Sequence, residues 1–509
     1  MRKSILAGSM AAAMTLGDMT AGAAAPDSTT ATAPNAGIPA YLVHPGIPEP
    51  IRALEAEGRL ADAEKMLEQA AMLDSGGGLA WGKPSDELTR LRWLRRDFPL
   101  DAPQLLEKLR KDIPDVTSAD IDRWTRERTL QWITIDGATH YFRREPSNLF
   151  RFAKDARARR DAAKGDTTTT AAADPAAKSG AGFSLTTHIE KAVAAARDSV
   201  TSMVLPVRIH VRHSIAVKPG RVPAGKLVRC WMPWPKEYRH QGEPKLIAAS
   251  PEKHSISPND SLHRLVYMEQ PAAADGSATF TLEYEYPTAA YVTSIDPDTV
   301  RPADPQGQVA REFTAGEAPH IVLTPEVHTL AAQLVGDEKN PYRKAERIFR
   351  WMQDNIRYCS EMEYAIMPAA LDKIMAERRG DCGVQAIMFI GLCRASGVPA
   401  RWQSGWVTRP GAWNMHDWAE FYVEPYGWIP ADPSVGYRDS ENPRVHDFFF
   451  GSLDAYRMIA NLGVHAPFSP AKHHLRSDPV DSQRGEVEWE DGNLYYDDWD
   501  HEIQATEVK

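Results

Sequence analysis

Between residues 48 and 73, apolar side chains recur at Ile51, Leu54, Leu60, Ala63, Met66 and Leu67, the spacing of one helix face. That predicts a pair of short helices. Further helices are expected at 86–98 and 102–112, and a third opens at Ser118 as N-cap, running through "ADIDRWTRERTL". The period then changes. "QWITIDGATHYF" alternates about Asp136-Gly137, a dipeptide suited to a two-residue hairpin turn. Residues 160–183 are poor in apolar side chains and rich in Thr, Ala and Gly, the composition of a linker. After a short helix near 188–200, Val207, Ile209 and Val211 alternate with Arg208, His210 and Arg212. Phe280, Leu282, Tyr284 and Tyr286 repeat the alternation, so about 203–290 should form an antiparallel β domain, a small sandwich. Helical spacing returns after Thr324-Pro325 and Asn340-Pro341, the second helix carrying Ala345, Ile348, Phe349 and Met352 on one face. The tail "GEVEWEDGNLYYDDWDHEI" alternates once more and suggests a strand or two returning to the β domain.

These elements divide the chain into segments of a multidomain α+β protein. A signal peptide (1–23) and a disordered lead-in (24–40) precede a helical region with a hairpin (41–160) and a linker (161–185). A β domain (186–310), a second α+β core (311–440) and a C-terminal extension (441–509) follow. The first helix pair resembles one tetratricopeptide unit, although a single copy cannot bury its own face. Three helices and a hairpin resemble a winged helix. On this chain that shape reads as a packing or protein-binding module rather than a DNA reader.

Charge and composition narrow the function classes. A net charge of −10 over 509 residues lacks the basic excess of a nucleic-acid binder. Arg2-Lys3, an apolar run from Ile5 to Leu16 and the small residues Ala21 and Ala23 have the layout of a secretory signal. The run is too short to span a bilayer, so no integral membrane segment is expected and the destination is the periplasm or the medium. Four cysteines, Cys230, Cys359, Cys382 and Cys393, allow three disulfide connectivities. Cys382 and Cys393 on one helix would stand about three turns apart, beyond disulfide reach. No CxxC occurs, and His473-His474 lacks a third ligand at sensible spacing. Neither metal nor cofactor is implied.

The candidate chemistry begins at "GDCGVQAIMFIGLCRASGVPAR". Ala386, Ile387, Ile390 and Cys393 keep helical spacing until Gly397 and Pro399, which puts Cys382 in a first helical turn. There the helix dipole favours a thiolate, and Arg378 and Arg379 add positive charge just upstream. Cys393, mid-helix among apolar residues, reads as a buried small hydrophobe. Downstream, "HDWAEFYV" and "GWIPAD" flank a turn at Glu424–Gly427 and read as a hairpin. His416 and Asp432 lie eight residues either side of Glu424, nearly opposite on paired strands. A carboxylate that fixes an imidazole beside a thiol is the arrangement of a nucleophilic triad.

"GDCGVQAIMFIGLCRASGVPARWQSGW" followed by "MHDWAEFYVEPYGWIPADPS" resembles the transglutaminase-like core of the papain-type cysteine enzymes, over about 320–440. The resemblance implies Cys382 as nucleophile, His416 as general base and Asp432 as its orienter. Three positions depart from the pattern. Asp381 and Gly383 flank the cysteine where the cross-linking animal enzymes carry Gln and Trp, and Asp417 replaces a small residue after the histidine. The implied activity is hydrolysis of amide bonds in peptides or proteins through a thioester. Amine transfer by a protein-glutamine transamidase, and a non-catalytic binding or scaffolding module, are the alternatives. The backbone N–H of Cys382 is the expected oxyanion donor, with Tyr358 a side-chain candidate by position. Trp406, Trp413 and Trp418 are candidates for a substrate groove, set against packing of the hairpin core.

Overall fold

The computed structural model describes residues 37–73, 82–165, 182–197, 199 and 201–508. The expected signal, the lead-in through residue 36 and linker residues 166–181 lie outside the described residues. Residues 161–164, assigned above to the linker, instead close a helix.

The helical periodicities become α1 (Glu49–Ala56), α2 (Leu60–Leu73), α3 (Pro84–Asp97), α4 (Ala102–Arg110) and α5 (Ser118–Arg126). The cap of α5 is Thr117, one residue before the expected Ser118, because Thr117 and Asp120 cap each other reciprocally. Asp136 and Gly137, with φ of 49° and 84°, join β1 (Trp132–Ile135) to β2 (Ala138–Tyr141) in a tight turn. Two helices follow, α6 (Glu145–Phe152) and α7 (Lys154–Lys164). Leu60, Ala63 and Leu67 of α2 share a core with Ile348, Ile366 and Ile374 from the other half of the chain. The lone helix pair thus covers its apolar face with another part of the molecule, where a solenoid would use further copies of itself.

After α8 (Leu185–Arg197) come β3 (Met203–Val217), β4 (Leu227–Pro233), β5 (Lys245–Ser250), β6 (His254–Ile256), β7 (Leu265–Pro271) and β8 (Ala278–Tyr291). The second α+β segment holds α9 (Gln308–Phe313), α10 (Pro325–Val335), α11 (Pro341–Asn355), β9 (Arg357–Tyr358), α12 (Ala370–Glu377), β10 (Arg379–Gly380) and α13 (Cys382–Ala395). It continues through β11 (Ala400–Val407), β12 (Asn414–Val423), β13 (Gly427–Ala431), α14 (Pro443–His446) and β14 (Arg457–Asn461). The tail supplies β15 (Glu486–Trp489), β16 (Gly492–Leu494) and β17 (Trp499–Val508).

Two sheets, ordered β16-β15-β4-β7-β6 and β17-β3-β8-β5, enclose Ile209, Val211, Phe280 and Leu282 from one side and Val228, Cys230, Met268 and Val487 from the other. The tail strands complete both sheets: β15 pairs with β4 and β17 with β3. A third sheet, β13-β12-β11-β14, is antiparallel throughout. Helix α13 is buried on every side and lies on this sheet, Phe389 against Phe421 at 6.2 Å between ring centroids. Among the described residues no helix is long and apolar enough to cross a membrane.

Candidate active site

Helix α13 starts at Cys382 because Asp381 caps it. The Asp381 carboxylate accepts from Val384 N at 3.0 Å and from the Tyr364 hydroxyl at 2.8 Å. Gln385 Nε2 ties the first turn back to the Gly380 carbonyl at 3.0 Å, and Gly380 is held by parallel pairing with Tyr358. None of the four cysteines is in a disulfide. Cys382 keeps 8% of its surface, whereas Cys230, Cys359 and Cys393 keep none. Burial pushes the Cys393 thiol well up, as suits core packing. The two arginines before the helix do not serve the thiol as expected. Arg379 donates to Glu377 at 3.0 Å and to the Thr129 carbonyl, and Arg378 lies over the Trp351 ring.

The thiol of Cys382 donates to Asp417 Oδ2 at 3.3 Å. Asp417 and the neighbouring His416 sit on a stretch of β12 whose pairing with β11 runs without a register shift, so their side chains leave opposite faces of the sheet. Asp417 shares the helix-covered face with Ala419 and Phe421. His416 shares the other face with Trp418, whose ring stacks on it at 5.8 Å. There His416 Nε2 bonds Asp432 Oδ2 at 2.7 Å, and both side chains are fully buried. The hairpin register pairs Ala419 with Ala431, which sets Asp432 across from Trp418 and diagonal to His416. Burial would raise the Asp432 carboxyl, but His416 and Arg457 outweigh it and hold it well below the usual carboxylate range. Arg457, also fully buried, lies 2.8 Å from Asp432 and 3.0 Å from Asp454, whose Oδ2 it shares with Arg409. His416 Nδ1 is buried with no hydrogen-bond partner. The structure thus brings His416 and Asp432 together and gives the Cys382 thiol a carboxylate in place of the imidazole.

Several surrounding groups were not singled out from the sequence. Gln483, between the third sheet and β15, donates to the His416 carbonyl at 2.9 Å and to Asp417 Oδ1. Asp481 beside it is buried in the neighbourhood of Ser404 and Asp417. Burial first, then the nearby Asp481 and Asp381, raises Asp417 well above the usual range, and burial takes Asp481 up to about 6. Gly383 explains itself by space: a Cβ there would come 2.0 Å from Tyr364 Oη, 2.7 Å from Asp417 and 2.9 Å from Trp402. A tryptophan cannot occupy that position in this fold.

Tyr358, expected as a donor, has its ring covered by the Arg151 guanidinium at 5.3 Å; the tyrosine hydroxyl beside the helix start is that of Tyr364. Trp406 and Trp418 are fully buried, contrary to a groove-lining role. Trp406 Nε1 donates to the Gln483 carbonyl at 2.9 Å, and Trp418 donates to Gln403 beneath Arg457. Trp413 remains 38% exposed and lines a cavity of about 360 Å³ with Arg143, Arg144, Glu363 and Arg484. Among the described residues no group of three His, Cys, Asp or Glu is arranged to hold a metal ion.

Residues 328–433 match the Transglutaminase-like superfamily. An uncharacterized protein of Haemophilus influenzae is 25% identical over 191 residues, covering 30% of this chain and 51% of its own length. YebA of Bacillus subtilis is 26% identical over 134 residues, 23% of this chain and 18% of YebA. The chain therefore spans about half the length of the first relative and under a fifth of the second. A candidate cysteine protease from Cytophaga hutchinsonii superposes with a TM-score of 0.43 at 17% identity, over 60% of this chain and 92% of that one. The periplasmic domain of TgpA from Pseudomonas aeruginosa gives 0.23 at 14% identity, over 56% of this chain and 100% of that one.

Proposed function

We propose that the transglutaminase-like core at residues 328–433 works as a cysteine hydrolase of amide bonds in peptides or proteins, with Cys382 as nucleophile. One observation carries the reading. Of four cysteines, only Cys382 stands at a helix N-terminus and keeps any surface, and the strand beneath it carries the thiol's partner Asp417 next to the carboxylate-held His416. The Cys382 sulfur attacks the carbonyl carbon, and the backbone N–H of Cys382 in the first helical turn faces the developing oxyanion. In this reading His416 is the base and Asp432 its orienter: the ring swings from the face it shares with Trp418 toward Cys382, takes the thiol proton, and returns it to the leaving amine as the C–N bond breaks. Water resolves the thioester. An amine in its place would make the enzyme a transamidase, and supplying a primary amine to active protein separates the two by product. On this reading the site of action is outside the cytoplasm, resting on the Arg2-Lys3 start and the apolar run to Leu16.

A second reading is favoured by the 3.3 Å contact between Cys382 and Asp417. In it the carboxylate of Asp417 takes the thiol proton directly, its basicity raised by burial and by Asp481. Alkylation by iodoacetamide at neutral pH decides between them, using wild type, Cys382→Ala, His416→Ala and Asp417→Asn. The triad predicts that His416→Ala slows labelling of Cys382 by about tenfold or more and that Asp417→Asn does not. The reverse order assigns the proton to Asp417. Labelling indifferent to all three substitutions sinks the activated nucleophile.

A further inference from the structure

The 360 Å³ cavity touches three of the strands and loops that surround the thiol. Glu363 on its wall precedes Tyr364, whose hydroxyl holds the cap of α13. Met415 shares a strand face with Asp417, two residues on. Arg484 follows Gln483, which holds Asp417. Three lining residues are thus chain neighbours of the groups around Cys382: Glu363 of Tyr364, Met415 of the His416-Asp417 pair and Arg484 of Gln483.

Its charge is unlike that of the chain as a whole. Arg143, Arg144 and Arg484 converge on Glu363 at 2.7, 3.4 and 3.2 Å. Asp97 takes a further contact from Arg143 at 2.8 Å, so three guanidinium groups are gathered on two carboxylates, with Asp478 a more distant acidic neighbour of Arg484. Glu363 is held below its usual range by these arginines despite its burial, which fixes the fork. The side chains of Arg144 and Arg484 keep 40% and 29% of their surface, enough to accept a further carboxylate. Trp413, 38% exposed at the same cavity, offers a flat apolar wall. Guanidinium groups pair with carboxylates through parallel hydrogen bonds, and an aromatic wall beside them suits the body of a peptide.

We propose that this cavity is the substrate cleft of the hydrolase, and that Arg144 and Arg484 select peptides carrying a carboxylate side chain next to the amide under attack, with Trp413 packing on the peptide. The inference rests on the function proposed above but is tested apart from it. Peptides identical except for Glu, Gln or Lys at one position are titrated into the full-length Cys382→Ala protein by calorimetry, at low and high salt. The Glu peptide should bind about tenfold more tightly than the Gln peptide, a difference of about 1.4 kcal/mol, and added salt should narrow the gap. Arg144→Ala, at the more exposed arginine, should erase most of it. Arg484→Lys should leave part, and Trp413→Ala should weaken all three peptides alike. Equal binding of the Glu, Gln and Lys peptides by protein with unchanged melting overturns the proposal, as does preference for a neutral oligosaccharide over every peptide. In wild-type protein the Glu peptide should shield Cys382 from iodoacetamide better than the Gln peptide. Charge-selective binding with an unreactive Cys382 leaves the cleft standing and removes the hydrolase. A reactive Cys382 with no charge preference does the opposite.

Discussion

Cys382 Sγ rests 3.3 Å from Asp417 Oδ2, while the residue just before Asp417 on the same strand, His416, directs its ring to the other face of the sheet and bonds Asp432. The thiol's hydrogen bond thus ends on a buried carboxylate that burial and the nearby Asp481 hold well above its usual range.

On the triad reading, Asp417→Asn should leave Cys382 no less reactive. The expected outcome is an alkylation rate at neutral pH equal to that of wild type or higher. Labelling of mutant and wild type measures it, and a rate that falls about tenfold assigns the thiol proton to Asp417.

Gln483 covers the same site, donating to the His416 carbonyl and to Asp417. Gln483→Ala should expose the thiol and raise its alkylation rate several-fold. The buried acceptors left unmatched should cost about 1–3 kcal/mol in urea unfolding. Unchanged labelling would mean that Gln483 does not limit access.

Asp481 carries its own pH signature. Burial raises its carboxyl from 3.8 to about 6, so between those values the folded chain binds more protons than the unfolded one. Stability then falls as pH rises from about 4 to 6, by up to about 3 kcal/mol. Asp481→Asn should flatten that slope and raise the melting temperature at pH 8 over wild type. A steeper slope in the mutant contradicts the assignment.

Arg457 is fully buried between Asp432 and Asp454. Arg457→Ala leaves both carboxylates short of a partner, and breaking such a pair costs about 3–5 kcal/mol. Urea melts followed by tryptophan fluorescence measure this directly, since Trp418 lies under the guanidinium. A loss below about 1 kcal/mol would place the network's stability elsewhere.

Gly383→Ala forces a methyl to within 2.0 Å of Tyr364 Oη, and overpacking of this kind costs about 1–3 kcal/mol. Removing the hydroxyl with Tyr364→Phe should recover part of that loss in the double mutant. Additive losses in the cycle would show that the two residues do not compete for space.

The helix start at Cys382 was legible because Asp381 is a good cap and the apolar residues after it recur without a break until Gly397. The hairpin was legible from two strand-like runs around one turn. Its register was not. The pairing of Ala419 with Ala431 centres the turn on Pro425 rather than Glu424, moving Asp432 from beside His416 to the diagonal. The facing of β12 is written in the chain itself. Ala419, Phe421 and Val423 form the apolar parity of the strand, and Asp417 belongs to that parity while His416 does not. Gln483 and Arg457 reach the site from distant segments with no periodicity linking them to it, so only the folded chain reveals them. The excess of aromatic residues around the hairpin likewise did not say which one stays exposed; burial of Trp406 and Trp418 leaves that place to Trp413.

Strands β15 and β17 close the two sandwich sheets against β4 and β3, and the short stretch just before β15 carries Gln483 and Asp481. During synthesis, helix α13 with its thiol leaves the ribosome long before these residues exist. Contacts between segments so far apart in sequence form last. A nascent chain halted after β14 can hold Cys382, His416 and Asp432 yet lacks the residues that sit against Asp417 and the fork that Arg484 completes. Biosynthesis thus sets a natural order, in which the surroundings of the thiol are finished only once the segment before β15 has been made.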